Sequence, residues 1–470
     1  MRVLLVSTYE LGHQPIHVAS PAARLRYVGY EVSTLDLAVE AFDDRLVAGV
    51  DAVAFSVPMH TAMRLALLSA ERIRASNLDT PIAFYGLYAR VGRERSLDGL
   101  ADVLLEGEYE RGLVDWLAGL DKSIETSTPN GRSGFYVPDR STLPTNHEYA
   151  RLEWNGTAVL AAAVEASHGC RHRCRHCPIP IVYNGRLRVV GAEVVLGDID
   201  QLAAAGVGHV TFGDPDFLNA PRYSTDILRE AHAAHPDLTF DVTVKVEHVL
   251  KHRNMWPELG DLGVLFVVSA FESVDEETLL ILDKGHTVSD MAESLGVLRS
   301  AGIYTRPTWL PFFPWTTPSD VADLVEFLDE HRLWTSTDPV QLGIKLLIPE
   351  GSLLENHPAV VPFLTSYDPA SLTWSWSFRD PESELLQKEL EAVSAEASDC
   401  GEDVMDTFTS MRRVIAARAP DRGWGQIVDP GPITPRLSES WFCCAEPTFN
   451  QGSAIGMGVG RVDSTPDPRG

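Results

Sequence analysis

The sequence predicts an α/β protein of more than one domain, on three observations. Short apolar runs alternate with amphipathic stretches twice along the chain, a polar segment rich in Pro, Gly, Ser and Thr separates the two series, and beyond about residue 355 the pattern turns helical. At 470 residues the chain is too long for one ordinary core. Its 44% hydrophobic and 22% charged residues favour buried cores over disorder.

Residues 1–121 begin with "RVLLVS" and continue through "PAARLRYVGY", "DAVAFSV", "HTAMRLALLSAERIRAS", "PIAFYG", "ADVLLEG" and "YERGLVDWLAGL". Strand and helix signals in that order imply a parallel sheet wrapped by helices, a Rossmann-like domain. Ligands of such sheets sit at the carboxyl ends of the strands, here residues 9–13, 58–61 and 86–88. Residues 122–156 lack apolar periodicity and read as a linker.

The second series, 157–355, offers six candidate strands: "TAVLAAAVEA", "VGHVTFGD", "LTFDVTVKV", "GVLFVVSAFE", "IYTRPTWLP" and "VQLGIKLLIP". Helical patterns such as "RYSTDILREAHAAH" and "PSDVADLVEFLDEH" lie between them. Six βα units fall short of the eight that close a TIM barrel, so an open, partial (β/α)6 barrel of TIM type is expected. Residues 356–470 form a mostly helical extension with "ESELLQKELEAVSAEA" and "GEDVMDTFTSMRRVIAARA", then a Pro/Gly-rich stretch, "SWFCCAEPTFN" and a frayed end.

Lys and Arg total 39 against 66 Asp and Glu, a formal net charge of −27. That opposes binding along a nucleic-acid backbone, which is driven by basic residues that displace counterions. One basic loop stands out, with Arg171, Arg173, Arg175, Arg186 and Arg188; it reads as a solvated rim or as an entrance for an anionic small molecule. No stretch approaches the roughly 20 apolar residues of a membrane span, and a cytoplasmic protein is expected. In the cytosol thiols stay reduced, so clustered cysteines point to ligands or catalysts rather than disulfides.

Three of the six cysteines fall within "HGCRHRCRHCPI", at Cys170, Cys174 and Cys177, after the first barrel strand. Such folds place their chemistry at that mouth. Structural zinc takes four protein ligands, so these thiolates would need His168, His172 or His176 to close a tetrahedron. A [4Fe–4S] cluster held by three thiolates keeps one iron open to chemistry.

The C-x3-C-x2-C spacing after the first strand of a partial barrel resembles the radical S-adenosylmethionine (SAM) enzymes. The resemblance implies that SAM chelates the fourth iron through its amino and carboxylate groups. An electron from the cluster then splits the sulfonium to methionine and a 5′-deoxyadenosyl radical. His176 stands where that family usually has an aromatic residue. In "FGDPDFLN", Gly213 and Asp214 align with the family's Gly-Gly-Glu-like stretch that holds the SAM amine, where a carboxylate offsets the desolvation of an ammonium; a tight turn is the alternative. "SAFESVDEETLLILDKGHT" resembles the family's Glu-Ser turn and Lys-Gly segment, which assigns Glu272 or Ser273 to the ribose hydroxyls. Ser273 with Glu276 also reads as a capping box. Arg306 is assigned to the SAM carboxylate and Lys345 to the adenine, with rim charges as the alternative.

An α/β module ahead of such a core resembles the cobalamin (B12)-binding class of the superfamily. The Asp-x-His-x-x-Gly pattern that would supply a histidine to cobalt is missing, and "YELGHQPIHVA" offers His13 and His17 at other spacings. Cobalamin held without a protein histidine and an empty scaffold therefore both stay open. Residues 441–447, "WFCCAEP", resemble the signature of the CUAEP/CCAEP-tail radical SAM proteins. Adjacent thiols such as Cys443 and Cys444 suit a soft metal, a metalloid, an auxiliary cluster or a redox relay, or are two small buried residues. Cys400 reads as core packing.

The expected activity is a radical SAM enzyme that modifies a small-molecule substrate, with the two tail cysteines, Cys443 and Cys444, as catalytic thiols. It would draw electrons from a donor such as flavodoxin or ferredoxin. The alternatives are cobalamin-dependent methyl transfer, radical modification of RNA or a peptide, and a cluster- or cobalamin-binding redox sensor without turnover.

Overall fold

The structure is a computed structural model that describes residues 1–76, 79–121, 134–420, 422, 427 and 429–439. Five parallel strands open the chain: β1 (Arg2–Ser7), β2 (Glu31–Asp36), β3 (Ala52–Ser56), β4 (Ile82–Tyr85) and β5 (Val103–Leu105). They lie in the order β2-β1-β3-β4-β5. The apolar run of β1 is continuous because both faces of the sheet are covered. Val3 and Leu5 pack with the helices Ile16–Val28 and Tyr109–Leu120, whereas Leu4 and Val6 pack with the helix His60–Ala75. The alternation of side chains along a strand thus sorts one apolar run into two cores.

The second sheet adds β6 (Arg151–Trp154), β7 (Thr157–Val164), β10 (His209–Phe212), β11 (Thr239–Thr243), β12 (Val264–Glu272), β13 (Tyr304–Trp309) and β16 (Arg436–Leu437), ordered β13-β12-β11-β10-β7-β6-β16. The numbers between belong to two small pairs, β8 (Ser167–Gly169) with β9 (Leu187–Val189), and β14 (Leu364–Asp368) with β15 (Thr373–Trp376). From β7 to β13 all neighbours are parallel. The result is the expected α/β architecture with a curled half-barrel. Helices between strands start where the sequence caps them: Thr287 with Asp290 and Thr317 with Asp320 both close capping boxes.

The sixth expected barrel strand, "VQLGIKLLIP", is reduced to a single bridge between Phe312 and Lys345. Residues Pro339–Gly343 turn into a 3-10 helix, and the Gln341 side chain accepts from Trp309 N at 2.9 Å. A side chain thus satisfies the edge of β13 in place of a ladder. Beyond it come the β14–β15 hairpin and the helices Pro381–Cys400 and Val404–Arg418, after which β16 returns to pair with β6. Cys400 is exposed, contrary to the packing role expected for it. It is the last residue of its helix, followed by Gly401 in the left-handed C-cap, so no core lies beneath it. Among the described residues, no helix is long and apolar enough to cross a membrane.

From residue 134 onward the polar segment before β6 is pinned to both sheets. Asp139 N donates to Ala19 O and Ala150 N to Gly12 O, while Tyr149 Oη donates to Asp36 at 2.8 Å. Arg140 is buried and forks onto Asp198 with two 2.8 Å bonds, reaching also Gln14 Oε1 and Ala163 O. One guanidinium therefore ties the loop after β1 to the first barrel strand and its helix.

Removing one partner of a buried ion pair strands the other charge, at a cost of about 3–5 kcal/mol. Arg140→Met is accordingly expected to lower unfolding stability by about that amount, read from urea denaturation. Asp198→Asn, which keeps an acceptor, is expected to lose less.

Candidate active site

The carboxyl ends of the two sheets face one another across a cavity of about 450 Å³. Glu10 and His13, from the loop after β1, and His17, from the first turn of the helix that follows, line it on the side of the first sheet. Glu165, Gly213 and Arg306 are among its walls on the barrel side. Apolar positions of "RVLLVS" set β1 in its sheet, and the residues just past its end are thereby delivered to the cavity.

Cys170, Cys174 and Cys177 are free thiols on the loop that follows β8. The loop's entry is set by Gly169 at φ +75°, where a Cβ would collide with Arg186 O and the Tyr183 ring. Only glycine meets both demands, the left-handed backbone and the close approach of β9. Asn219 Nδ2 donates to Cys170 Sγ at 3.3 Å. Burial pushes the Cys177 thiol up to about 12 and raises that of Cys170, and negative charge on the neighbouring sulfurs adds to both shifts. Three thiols gathered on one loop form a soft donor set, which fits an iron–sulfur cluster.

The histidines that would close a zinc tetrahedron are turned elsewhere. His168 places Nδ1 3.1 Å from Glu108 and Nε2 3.2 Å from Glu165. His172 sets Nδ1 3.1 Å from Lys245 Nζ and Nε2 3.3 Å from His248. His176 turns Nε2 to Glu272 Oε1 at 3.0 Å. His172, Asp216 and His248 do bring one ligand-type atom each within 4.8 Å of the others. The Lys245 ammonium beside His172 opposes a further cation there.

Glu272 ends β12 at φ +68°, an uncommon backbone for a residue with a side chain, at a register shift against β13. Lys284 Nζ lies 3.1 Å from its Oε1. Although burial opposes ionisation, the Lys284 ammonium and then His176 hold the Glu272 carboxyl well below the usual range. Lys284 is itself buried, and its charge also acts on Cys174 and Cys177. Glu272, His176 and Lys284 thus form one group behind the thiols. Ser273 Oγ accepts from Asp275 N, and Asp275 caps the next helix through Glu277 N and Thr278 N, so the cap belongs to Asp275 rather than to a Ser273–Glu276 box.

Asp214 accepts from Ala166 N at 2.9 Å and from Ser167 Oγ at 2.5 Å, which ties the end of β10 to the entry of the cysteine loop. Burial pushes its carboxyl up to about 7. Gly213 lines the cavity, with Glu165 Cγ 3.3 Å from where its Cβ would stand. Arg306 also lines it, forked onto Asp338 with two 2.9 Å bonds. Lys345 is exposed. Cys443 and Cys444 lie outside the described residues.

Sequence reasoning missed a chain of charges across the interface. Glu10, His17, Glu165, His168, Glu108 and Arg188 follow one another at 2.7–3.2 Å. Burial works against charging His17 and His168, yet the carboxylates on both sides raise each well above the ordinary histidine value. The only hint in the sequence was Glu165 at the end of an apolar strand. His13 is the opposite case: burial lowers it to about 4, and its Nδ1 has no hydrogen-bond partner among the described residues.

Fold and site together define a half-barrel α/β protein with a loop of three free thiols at its mouth. Comparison with known proteins places it further. Residues 164–328 match the Radical SAM superfamily model. Hopanoid C-3 methylase of Methylococcus capsulatus is 24% identical over 325 residues, 63% of this chain and 62% of that protein. Hopanoid C-2 methylase of Rhodopseudomonas palustris is 21% identical over 228 residues, 46% and 43% of the two chains. The chain thus spans less than two thirds of these relatives. Among solved structures, the cobalamin-dependent SAM radical enzyme OxsB, with aqua-cobalamin and SAM bound, superposes with a TM-score of 0.62 at 15% identity, over 89% of this chain and 70% of that one. The radical SAM methyltransferase TsrM of Kitasatospora setae, with cobalamin and a [4Fe–4S] cluster bound, gives 0.53 at 19% identity, over 70% of each chain. Residues 164–328 thus carry a radical SAM domain, of the superfamily that uses a [4Fe–4S] cluster and SAM.

Gly169→Ala is expected to lower the thermal unfolding midpoint and to cost more than about 1 kcal/mol, because alanine strains a positive φ. A second expectation concerns pH. The Asp214 carboxyl lies above its ordinary value in the folded protein, so its contribution to stability is complete below about pH 4 and is lost as pH rises through about 7. Asp214→Asn should remove that part of the slope in denaturation curves taken between pH 4 and 8.

Proposed function

We propose that this protein is a radical SAM enzyme in which Cys170, Cys174 and Cys177 hold a [4Fe–4S] cluster, and that it modifies a small molecule in the cavity between the sheets. The observation that carries this reading is the set of three free thiols on a loop beside a cavity of about 450 Å³. When bound, the cluster supplies the electron that cleaves SAM reductively. The chain's own residues do the rest: Asn219 hydrogen-bonds Cys170, and the Lys284 ammonium offsets negative charge on Cys174 and Cys177. Glu272 and His176 keep that ammonium and the loop in register. Gly213 and Asp214 serve the SAM amine, Glu272 or Ser273 the ribose, and Arg306 the carboxylate in this reading; in the structure Asp214, Glu272 and Arg306 engage protein partners.

The cavity's size suits a small molecule better than a polymer, and the net charge of −27 speaks against RNA. The reductant is a one-electron donor such as flavodoxin or ferredoxin, and the setting is cytoplasmic. Cys443 and Cys444 act as auxiliary thiols that quench, bind or relay. A second reading, cobalamin-dependent methyl transfer, is favoured by the relatives: two methylases and two solved enzymes with cobalamin in their names. His13, neutral and unpaired at Nδ1, and the strand ends around it would line such a corrinoid's site.

Anaerobically reconstituted protein incubated with SAM and dithionite is expected to release methionine and 5′-deoxyadenosine, resolved by chromatography. Cys170→Ala should reduce release to background, and retained cleavage would overturn the assignment of the site.

A further inference from the structure

About one residue in seven of this chain is Asp or Glu (66 of 470), yet residues 166–192 contain five arginines and no carboxylate. The structure divides those arginines. Arg188 pairs with Glu108 and lies over the Phe135 ring, and Arg175 donates to the carbonyls of Leu280 and Ile281. Arg171, Arg173 and Arg186 are exposed. Among the described residues these three make no ion pair, and the one side-chain bond is from Arg186 Nε to Tyr183 O. Their backbones are adjacent: beside Gly185, which precedes Arg186, the Arg173 Cγ and Cδ lie 3.8 Å from where a Cβ would stand and the backbone oxygen of Arg171 lies 3.7 Å from the same point. None of the three lines the cavity, so they do not guard the substrate's entrance.

Their place in the loop supplies the reason for them. Arg171 follows Cys170 and Arg173 precedes Cys174; the thiols turn inward and are buried, and the guanidinium groups turn outward. The patch is therefore one residue away from two of the three sulfurs. We infer that Arg171, Arg173 and Arg186 form the docking surface for an acidic one-electron carrier protein, which reduces the cluster through this loop. On a surface of net charge −27, an acidic carrier is repelled elsewhere and attracted here, so the field both orients the encounter and speeds it. Leu280, 76% exposed beside the site where Arg175 is anchored, gives the patch an apolar border. In the step, the carrier loses one electron and the cluster gains it, and no bond is made or broken.

This rests on the cluster assignment above, and the test keeps the two apart. Reduced flavodoxin, an acidic carrier, is mixed anaerobically with reconstituted protein in a stopped-flow instrument, with reduced methyl viologen as a small cationic comparison. The triple variant Arg171→Gln, Arg173→Gln, Arg186→Gln is expected to retain its iron and sulfide content. It should be reduced by flavodoxin at least about tenfold more slowly at low salt, with a flatter salt dependence, as steered association requires. Its reduction by methyl viologen should be unchanged or faster. Full-cluster variant protein that flavodoxin reduces at the wild-type rate and salt slope overturns the proposal. So does an equal loss with both reductants, or a patch that retains an RNA oligomer but not flavodoxin. If the wild type assembles no cluster, the reading of the three cysteines fails. Flavodoxin binding to the cluster-free protein, measured by surface plasmon resonance with and without the substitutions, then still decides the docking surface.

Discussion

A loop that must present three thiols together cannot hold itself, because the eight residues Cys170–Cys177 make one backbone hydrogen bond among themselves, from Cys177 N to Cys174 O. Here the support comes from outside. The β8–β9 pair fixes its entry, with Gly169 admitting the approach of the Arg186 carbonyl. Arg175 N donates to Leu282 O, and its guanidinium donates to the two preceding carbonyls. Glu272, at the end of β12, reaches the loop through His176 and holds Lys284 behind the sulfurs. The loop's geometry is therefore set by the carboxyl ends of β10 and β12 and by the helix Glu276–Leu282.

The same constraint explains where buried charge is tolerated. A lone carboxylate or imidazolium inside a protein is costly, whereas an alternating series shares its field and stays ionised. The series takes Glu10, His17 and Glu108 from the first domain and Glu165, His168 and Arg188 from the barrel domain, so each domain neutralises the other at the cavity wall. Arg140, from the segment between the domains, likewise joins Asp198 of the barrel domain to Gln14 of the first. The cavity between the sheets is thus bounded by interactions that require both domains in place.

Much of this was legible in the residues. Continuous apolar runs marked the parallel strands, and the spacing of Cys170, Cys174 and Cys177 marked a loop of three thiols after the first barrel strand. Other expectations shifted in the structure. "VQLGIKLLIP" has strand composition, but Gln341 caps the neighbouring strand with its side chain and the ladder stops at one bridge. Cys400 has the composition of a core residue and sits at an exposed helix end. Composition reports what a segment prefers, while such outcomes depend on what the neighbouring segment leaves unsatisfied.

The sequence by itself determined the two α/β units, the order of their strands along the chain and the three-thiol loop, because periodicity and local spacing are encoded within a few residues of each position. Only the tertiary structure decided that Glu10, Glu108, Glu165, His17 and His168 meet, that Glu272 lies against Lys284 and His176, and that three arginines stand together over the loop. Those groups come from segments as far apart as residues 10 and 165, and their charges and pairings arise only when folding brings them within a few ångströms and removes the water between them.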